Sequence, residues 1–224
     1  MKTSLLAAVS AAALLLSAAG AASGQTISAT ITADNHYAFY VSDDNGNFTY
    51  IGGNELGSGG SPGNYNWSLP EVWNIASAPT HLYIAAWSDN RSAQGLLAQI
   101  NFGDETYHSG DAAWRVYHSF NDLGDGSAHP TAGTVANWVN LADTGNAWET
   151  PFVGGQNGSY GPWGMVPGIT TDARWMWAGN PGLNDPMLTG SGYGETLVFG
   201  TAIPTPGAAA VIGLGGLLAF RRRR

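Results

Sequence analysis

The 224-residue sequence predicts an all-β body, a two-sheet sandwich, set between two apolar ends. Three observations predict it. Short runs alternate apolar and polar residues with a period of two, clusters of Gly, Asn, Asp, Ser and Pro punctuate them, and no stretch of the body carries a sustained, capped helical period. Ile27, Ala29 and Ile31 alternate with Ser28, Thr30 and Thr32, so Ile27 to Ala33 reads as a half-buried strand. His36 to Ser42 places Tyr37, Phe39 and Val41 on one face. The break at Asp43-Asp44-Asn45-Gly46 before Phe48 to Ile51 reads as a hairpin, because Asn-Gly tolerates positive φ. Gly52 to Asn66 is loop by composition. Strands resume at His81 to Trp87 and Gly95 to Phe102, separated by Ser88-Asp89-Asn90-Arg91, and Trp114 to Ser119 is a further candidate. Turn residues dominate from Asn121 to Thr134. From Ala142 to Thr171 a Gly- and Asn-rich stretch holds Trp148, Phe152, Tyr160 and Trp163; at that length it either packs by its own aromatics or forms a functional surface. Arg174 to Ala178 and Glu195 to Thr201 close the body.

The ends have a different chemistry. Met1-Lys2, an apolar run from Leu5 to Ala19 and small residues from Gly20 to Gly24 form a signal peptide over 1–24, with cleavage after Ala21, Ser23 or Gly24. At the other end, Pro204-Thr205-Pro206-Gly207 precedes thirteen apolar or glycine residues, Ala208 to Phe220, and then Arg221, Arg222, Arg223 and Arg224. As a helix those thirteen residues rise about 20 Å, a marginal span for a hydrocarbon core of roughly 30 Å. The arginines favour the cytoplasmic side and leave everything upstream outside it. This order of features resembles a PEP-CTERM sorting signal, with Thr205 where glutamate is usual. The resemblance implies processing by a membrane-embedded exosortase, transient inner-membrane anchoring, and association with exopolysaccharide at the cell surface or in the extracellular matrix.

The body between these ends, 25–203, is the size of one domain. It holds all sixteen acidic residues against three basic ones, Arg91, Arg115 and Arg174, a formal charge of −13. With no lysine in the body and no cysteine anywhere, a nucleic-acid surface, a P-loop, a lysine Schiff base, disulfides and zinc-thiolate chemistry are all excluded. All nine Trp and all nine Tyr fall in the body, an aromatic richness common in extracellular β-domains. A second likeness covers roughly half of it. The runs Ile31 to Val41, Leu82 to Trp87, Gly95 to Ala98 and Ala173 to Ala178 are similar to galactose-binding-like jelly-roll domains, although Ser42 to Gly46 makes a longer hairpin than the family's. Sugar binding is implied as a family tendency.

Candidate site residues follow from these readings. Trp67, Trp148, Tyr160 and Trp163 lie in Gly-rich segments, where flat faces can stack on sugar rings or pack beneath long loops. Asp34-Asn35 and Asp89-Asn90 stand at strand ends, where hard oxygen ligands suit a structural calcium ion and where ordinary turn chemistry asks for the same residues. Asp43, Asp44, Asn45 and Asn47 form a similar cluster. Trp87, Trp114, Trp175 and Trp177 lie in strand-like runs and are assigned to the core. No catalytic residue is assigned. Gly59-Gly60-Ser61-Pro62-Gly63 fits a serine elbow only formally, since Pro62 has no N–H for an oxyanion hole. The five histidines are scattered without helical pairing, and the acids give no means of selecting a glycosidase pair. The expected protein is therefore an exported, non-catalytic envelope protein; a glycan-active hydrolase and a purely structural coat protein are the alternatives.

Overall fold

A computed structural model describes residues 26–54, 69–76, 79–88, 93–124, 127–161, 163–179, 185–187 and 196–203. The predicted signal peptide, the sorting tail from Pro204 to Arg224, Trp67, Asp89 and Asn90 lie outside the described residues. Among the described residues no helix is long and apolar enough to cross a membrane.

The described elements are β1 (Ile27–Asp34), β2 (His36–Ser42), β3 (Phe48–Gly53), β4 (Glu71–Ile75), β5 (His81–Trp87), β6 (Gly95–Phe102), β7 (Glu105–His108), β8 (Arg115–His118), α1 (Ala132–Thr144), β9 (Phe152–Gln156), β10 (Arg174–Trp177) and β11 (Leu197–Ala202). They build two antiparallel sheets. Sheet A runs β4-β1-β6-β10-β9 with β7 folded back on β6, and sheet B runs β3-β2-β5-β11-β8. The expected all-β sandwich is present. Ile27, Ala29 and Ile31 of β1, Tyr37, Phe39 and Val41 of β2, Leu82, Ile84 and Ala86 of β5, and Leu96, Ala98 and Ile100 of β6 fill one buried cluster. The half-buried reading of β1 is corrected: Thr30 and Thr32 are buried as well, because residues after β9 cover the outer face of sheet A. Trp87, Trp114, Trp175 and Trp177 are buried in the core, as their strand-like context implied.

The edge strands close on each other. Trp73 of β4 reaches across to β3, donating its indole N–H to Tyr37 Oη at 2.9 Å, and Tyr37 in turn donates to Glu71 at 2.8 Å. Gly52 is what admits the ring, since a Cβ at that position would fall inside the Trp73 indole.

The helix α1 corrects the expectation that the body has none. Thr131 caps it, its hydroxyl accepting from the Thr134 N–H at 3.1 Å, and Val135, Trp138, Val139 and Ala142 form its buried stripe at helical spacing. That stripe packs on Ala38, Tyr40, Ala85 and Val198, the outward residues of sheet B. The Tyr40 hydroxyl donates to the Pro130 carbonyl and pins the helix entrance. Gly133, Thr134, Val135, Asn137 and Thr144 are weak helix formers, and the first turn lacks acids as the last lacks bases, so docking on the sheet, not propensity, stabilises this element.

Three strands also lie where no strand was predicted: β4, β7 and β9. The last falls inside the Ala142 to Thr171 stretch, whose first part lies on sheet B and whose described residues after β9 pack over sheet A. Buried Asn157 organises it, donating to the carbonyls of Val166 at 2.9 Å and Ile169 at 2.7 Å while accepting from the Val166 N–H at 2.8 Å.

Replacing Gly52 with alanine is expected to destabilise the fold by about 1–3 kcal/mol through overpacking against Trp73. Chemical denaturation of the two proteins measures it, and an unchanged midpoint would show that the β3 and β4 edges are not held together in this way.

Candidate functional site

The sequence-predicted aromatic residues do not share one surface. Tyr160 and Trp163 pack inward: Trp163 stacks on Trp175 with centroids 4.0 Å apart and meets Tyr160 edge-on at 5.3 Å. Their assignment to a glycan-facing loop is thus corrected, because the glycine-rich stretch carrying them folds back over sheet A and uses them as packing. Asp34 and Asn35 are likewise buried. The Asp34 carboxylate accepts the Trp163 indole N–H at 2.9 Å, the Asn35 carbonyl accepts from Asn54 at 2.9 Å, and the Asn35 side chain accepts from Ser88 at 3.4 Å. This is corner-forming hydrogen-bond chemistry. Among the described residues no group of three or more His, Asp or Glu side chains is placed to hold a metal ion.

Trp148 has a different setting. It is half-buried over the outer face of sheet B, with its indole N–H donating to Asp143 Oδ1 of α1 at 2.7 Å and the Arg115 guanidinium 4.6 Å from its ring centroid. Gly200 of β11 makes this placement available: a Cβ there would lie 3.1 Å from the Tyr83 ring and 3.2 Å from the Trp148 ring. Tyr117 follows at 6.1 Å from Trp148, and Phe120 at 6.5 Å from Tyr117. Phe120 is 80% exposed at φ 58°, a left-handed conformation uncommon for a bulky residue. Aromatic rings therefore continue across the outer face of sheet B beside the helix.

Between the C-terminal half of α1 and the β2–β3 hairpin lies an open groove of about 420 Å³. Its floor holds Phe48, His81 and Tyr83. Tyr83 stacks with Phe48 at 5.0 Å and with His81 at 6.0 Å, and it is the half-exposed Phe48 and His81 that present ring surface. Its rim is polar: Asp43 and Asp44 from the hairpin, and Asn140 and Asp143 from α1. The hairpin wall is rigid because Asp43 Oδ1 accepts from the N–H groups of Asn45 and Asn47, both at 2.9 Å, while Oδ2 accepts from the Asn47 amide at 2.8 Å. Those bonds, led by the Asn47 side chain, hold the Asp43 carboxyl below the usual carboxylate range. Burial pushes the Tyr83 phenol up, so it remains a neutral hydroxyl.

A concave volume with aromatic floor and convergent polar rim is the arrangement in which small polar ligands bind. Of its parts, sequence reading had singled out the Asp43 to Asn47 turn as an oxygen cluster, but not Phe48, His81, Tyr83, Asn140 or Asp143. The signal for two of them was present: His81 and Tyr83 alternate with the inward Leu82 and Ile84, and an aromatic on the outward face of a strand needs a cover or a ligand. Asn140 and Asp143 depend on a helix that the sequence did not announce.

The inward packing of Tyr160 makes a measurable prediction. Burial and then its hydrogen bond to Asp185 at 2.8 Å push its phenol up to about 12. Above the ordinary tyrosine value of about 10 the unfolded chain releases this proton while the native state keeps it, so stability is present below that pH and lost as pH rises toward 12. Tyr83 and Tyr107 shift in the same direction, so Tyr160→Phe should flatten the alkaline fall in denaturation midpoint without abolishing it; a profile identical to the parent's would place Tyr160 in solvent. Compared with known proteins, the chain matches no protein-family model, no curated protein sequence and no solved structure.

Proposed function

We propose that this is an exported, non-catalytic protein of the bacterial cell surface or extracellular matrix, associated with exopolysaccharide. In this reading a signal peptide over 1–24 directs export. The tail from Pro204 to Arg224 holds the chain transiently at the inner membrane, where an exosortase-type enzyme processes it. The body is a sandwich of the galactose-binding-like jelly-roll kind, on the runs Ile31 to Val41, Leu82 to Trp87, Gly95 to Ala98 and Ala173 to Ala178, and it contacts glycan through the groove beside α1.

One observation carries the reading: proline motif, apolar run and four terminal arginines stand in that order at the end of a chain whose other end has the three regions of a signal peptide. The body's composition supports it. A domain at −13 without lysine or cysteine suits a secreted, non-disulfide scaffold, and the Phe48, His81 and Tyr83 floor with its polar rim suits a sugar ring. The hydrolase alternative gains nothing from Asp43, whose carboxyl is lowered, because a general acid needs the opposite shift. A structural coat protein without ligand is the second reading, favoured by the inward packing of Tyr160 and Trp163.

Intact mass of the protein recovered from fractionated host cells tests the sorting claim. The expected result is a species beginning near Gln25 and ending between Pro204 and Gly207, found at the surface or in the medium. Full-length tail with Arg224 still attached in the inner membrane would reject it and leave a tethered domain.

A further inference from the structure

We propose that the groove beside α1 is built for a glycan whose sugars carry free amino groups. The inference rests on the glycan reading above and adds to it the charge of the ligand. Its starting point is the open volume of about 420 Å³ over stacked rings, room for a sugar unit with ring surface to lie against. Pyranose rings offer an apolar face of C–H groups, and half-exposed Phe48 and His81, braced by Tyr83, offer the matching faces.

The rim then selects among sugars. Asp43 and Asp44 face the groove from the hairpin and Asp143 faces it from α1, so carboxylates stand on opposite walls. Asp43 has both oxygens engaged by Asn45 and Asn47 and supplies field, not a direct contact. Asp44 is exposed, and Asp143 uses one oxygen for the Trp148 indole. Among the described residues the groove's lining carries no lysine or arginine; the Arg115 charge reaches the Tyr83 phenol from beside Trp148. His81 is the one basic side chain in that lining among the described residues, with Nδ1 3.2 Å from the Thr80 hydroxyl. Several like charges along a concave wall focus the field into the opening. A uronate or a sulfated sugar would meet that field as a repulsion, a neutral sugar would gain nothing from it, and a protonated amine would be drawn in. Complementarity of this kind selects partners by penalising the wrong charge as much as by favouring the right one.

The test is calorimetric titration of the purified full chain with oligomers of glucosamine, N-acetylglucosamine, glucose and galacturonate, and with oligolysine, at a pH where the amines are protonated. The glucosamine oligomer is expected to bind about tenfold or more tightly than its acetylated counterpart, with affinity falling as salt rises. Asp44→Asn together with Asp143→Asn should remove most of that preference; asparagine still accepts from the Trp148 indole, so the wall keeps its shape. Asp104→Asn with Asp172→Asn changes two exposed acids on the sheet A side by the same net charge and should leave binding as it was. Equal binding of acetylated, neutral and amino oligomers, lost in the groove pair, would overturn the charge inference and leave the glycan reading standing. An equal loss in the distant pair would reduce the effect to diffuse attraction by a polyanion and overturn it too. Oligolysine binding as tightly as glucosamine would show charge capture without ring recognition, which also overturns it. No binding by any sugar oligomer would sink the inference together with glycan contact at the groove.

Discussion

Between Asp34 and His36 the chain passes from sheet A to sheet B within one residue, and the polar groups at that corner are buried instead of facing water. Asn35 donates its N–H to the Trp87 carbonyl at 3.3 Å, Asn54 bridges the Asn35 carbonyl and the Tyr37 N–H, and Trp163 satisfies Asp34 from the other side. Buried polar groups without such partners cost about 1–3 kcal/mol each. The corner therefore has to be made correctly for both sheets to form. It sets β1 between β4 and β6, and β2 between β3 and β5. Trp163 and Asn54, far apart in sequence, converge there because each supplies a hydrogen bond the corner needs.

With no disulfide to constrain the unfolded chain, the interior has to stabilise the fold through area. The indole nitrogens of Trp87, Trp175 and Trp177 are buried without a hydrogen-bond partner among the described residues. That is affordable on magnitude. A fully buried aromatic side chain removes 150–250 Å² from water, worth about 4–6 kcal/mol at roughly 25 cal/mol/Å², against about 1–3 kcal/mol for the unmade hydrogen bond. Large rings win even when their polar atom loses, which is how a domain with nine tryptophans can afford so many of them in strands.

Sheet B differs from sheet A in what covers it. Residues 157–161 and 163–171 lie over sheet A, with the Thr170 N–H donating to Gln99 at 2.9 Å. Sheet B is covered by α1 over Ala38, Tyr40, Ala85 and Val198. A straight helix cannot cover the full width of five twisted strands, and the uncovered part is where Phe48, His81 and Tyr83 line up. The groove is thus a consequence of helix-on-sheet geometry, and its rim residues come from the two elements that flank the gap.

Much of the fold was legible because both faces of a strand obey one rule. The alternating runs at Ile27 and His36 became β1 and β2, and the runs at His81 and Gly95 became β5 and β6; alternation settles which side faces the other sheet. The same rule fails for α1, where Gly133, Asn137 and Thr144 suppress the local signal and the Val135, Trp138, Val139 and Ala142 stripe has meaning only once sheet B is there to receive it. It also fails for loop aromatics. Trp148 and Trp163 stand in the same Gly- and Asn-rich stretch, yet Trp163 is buried against Trp175 while Trp148 lies half-buried over Gly200. What separates them is the partner each meets across the chain: a buried carboxylate at the sheet-to-sheet corner for one, a helix aspartate at the groove wall for the other. A glycine-rich segment specifies only that the backbone can bend. For these two rings the tertiary surroundings decide between core and surface: Asp34 and the Trp175 ring draw Trp163 into the core, and Asp143 and Arg115 hold Trp148 at the surface of sheet B.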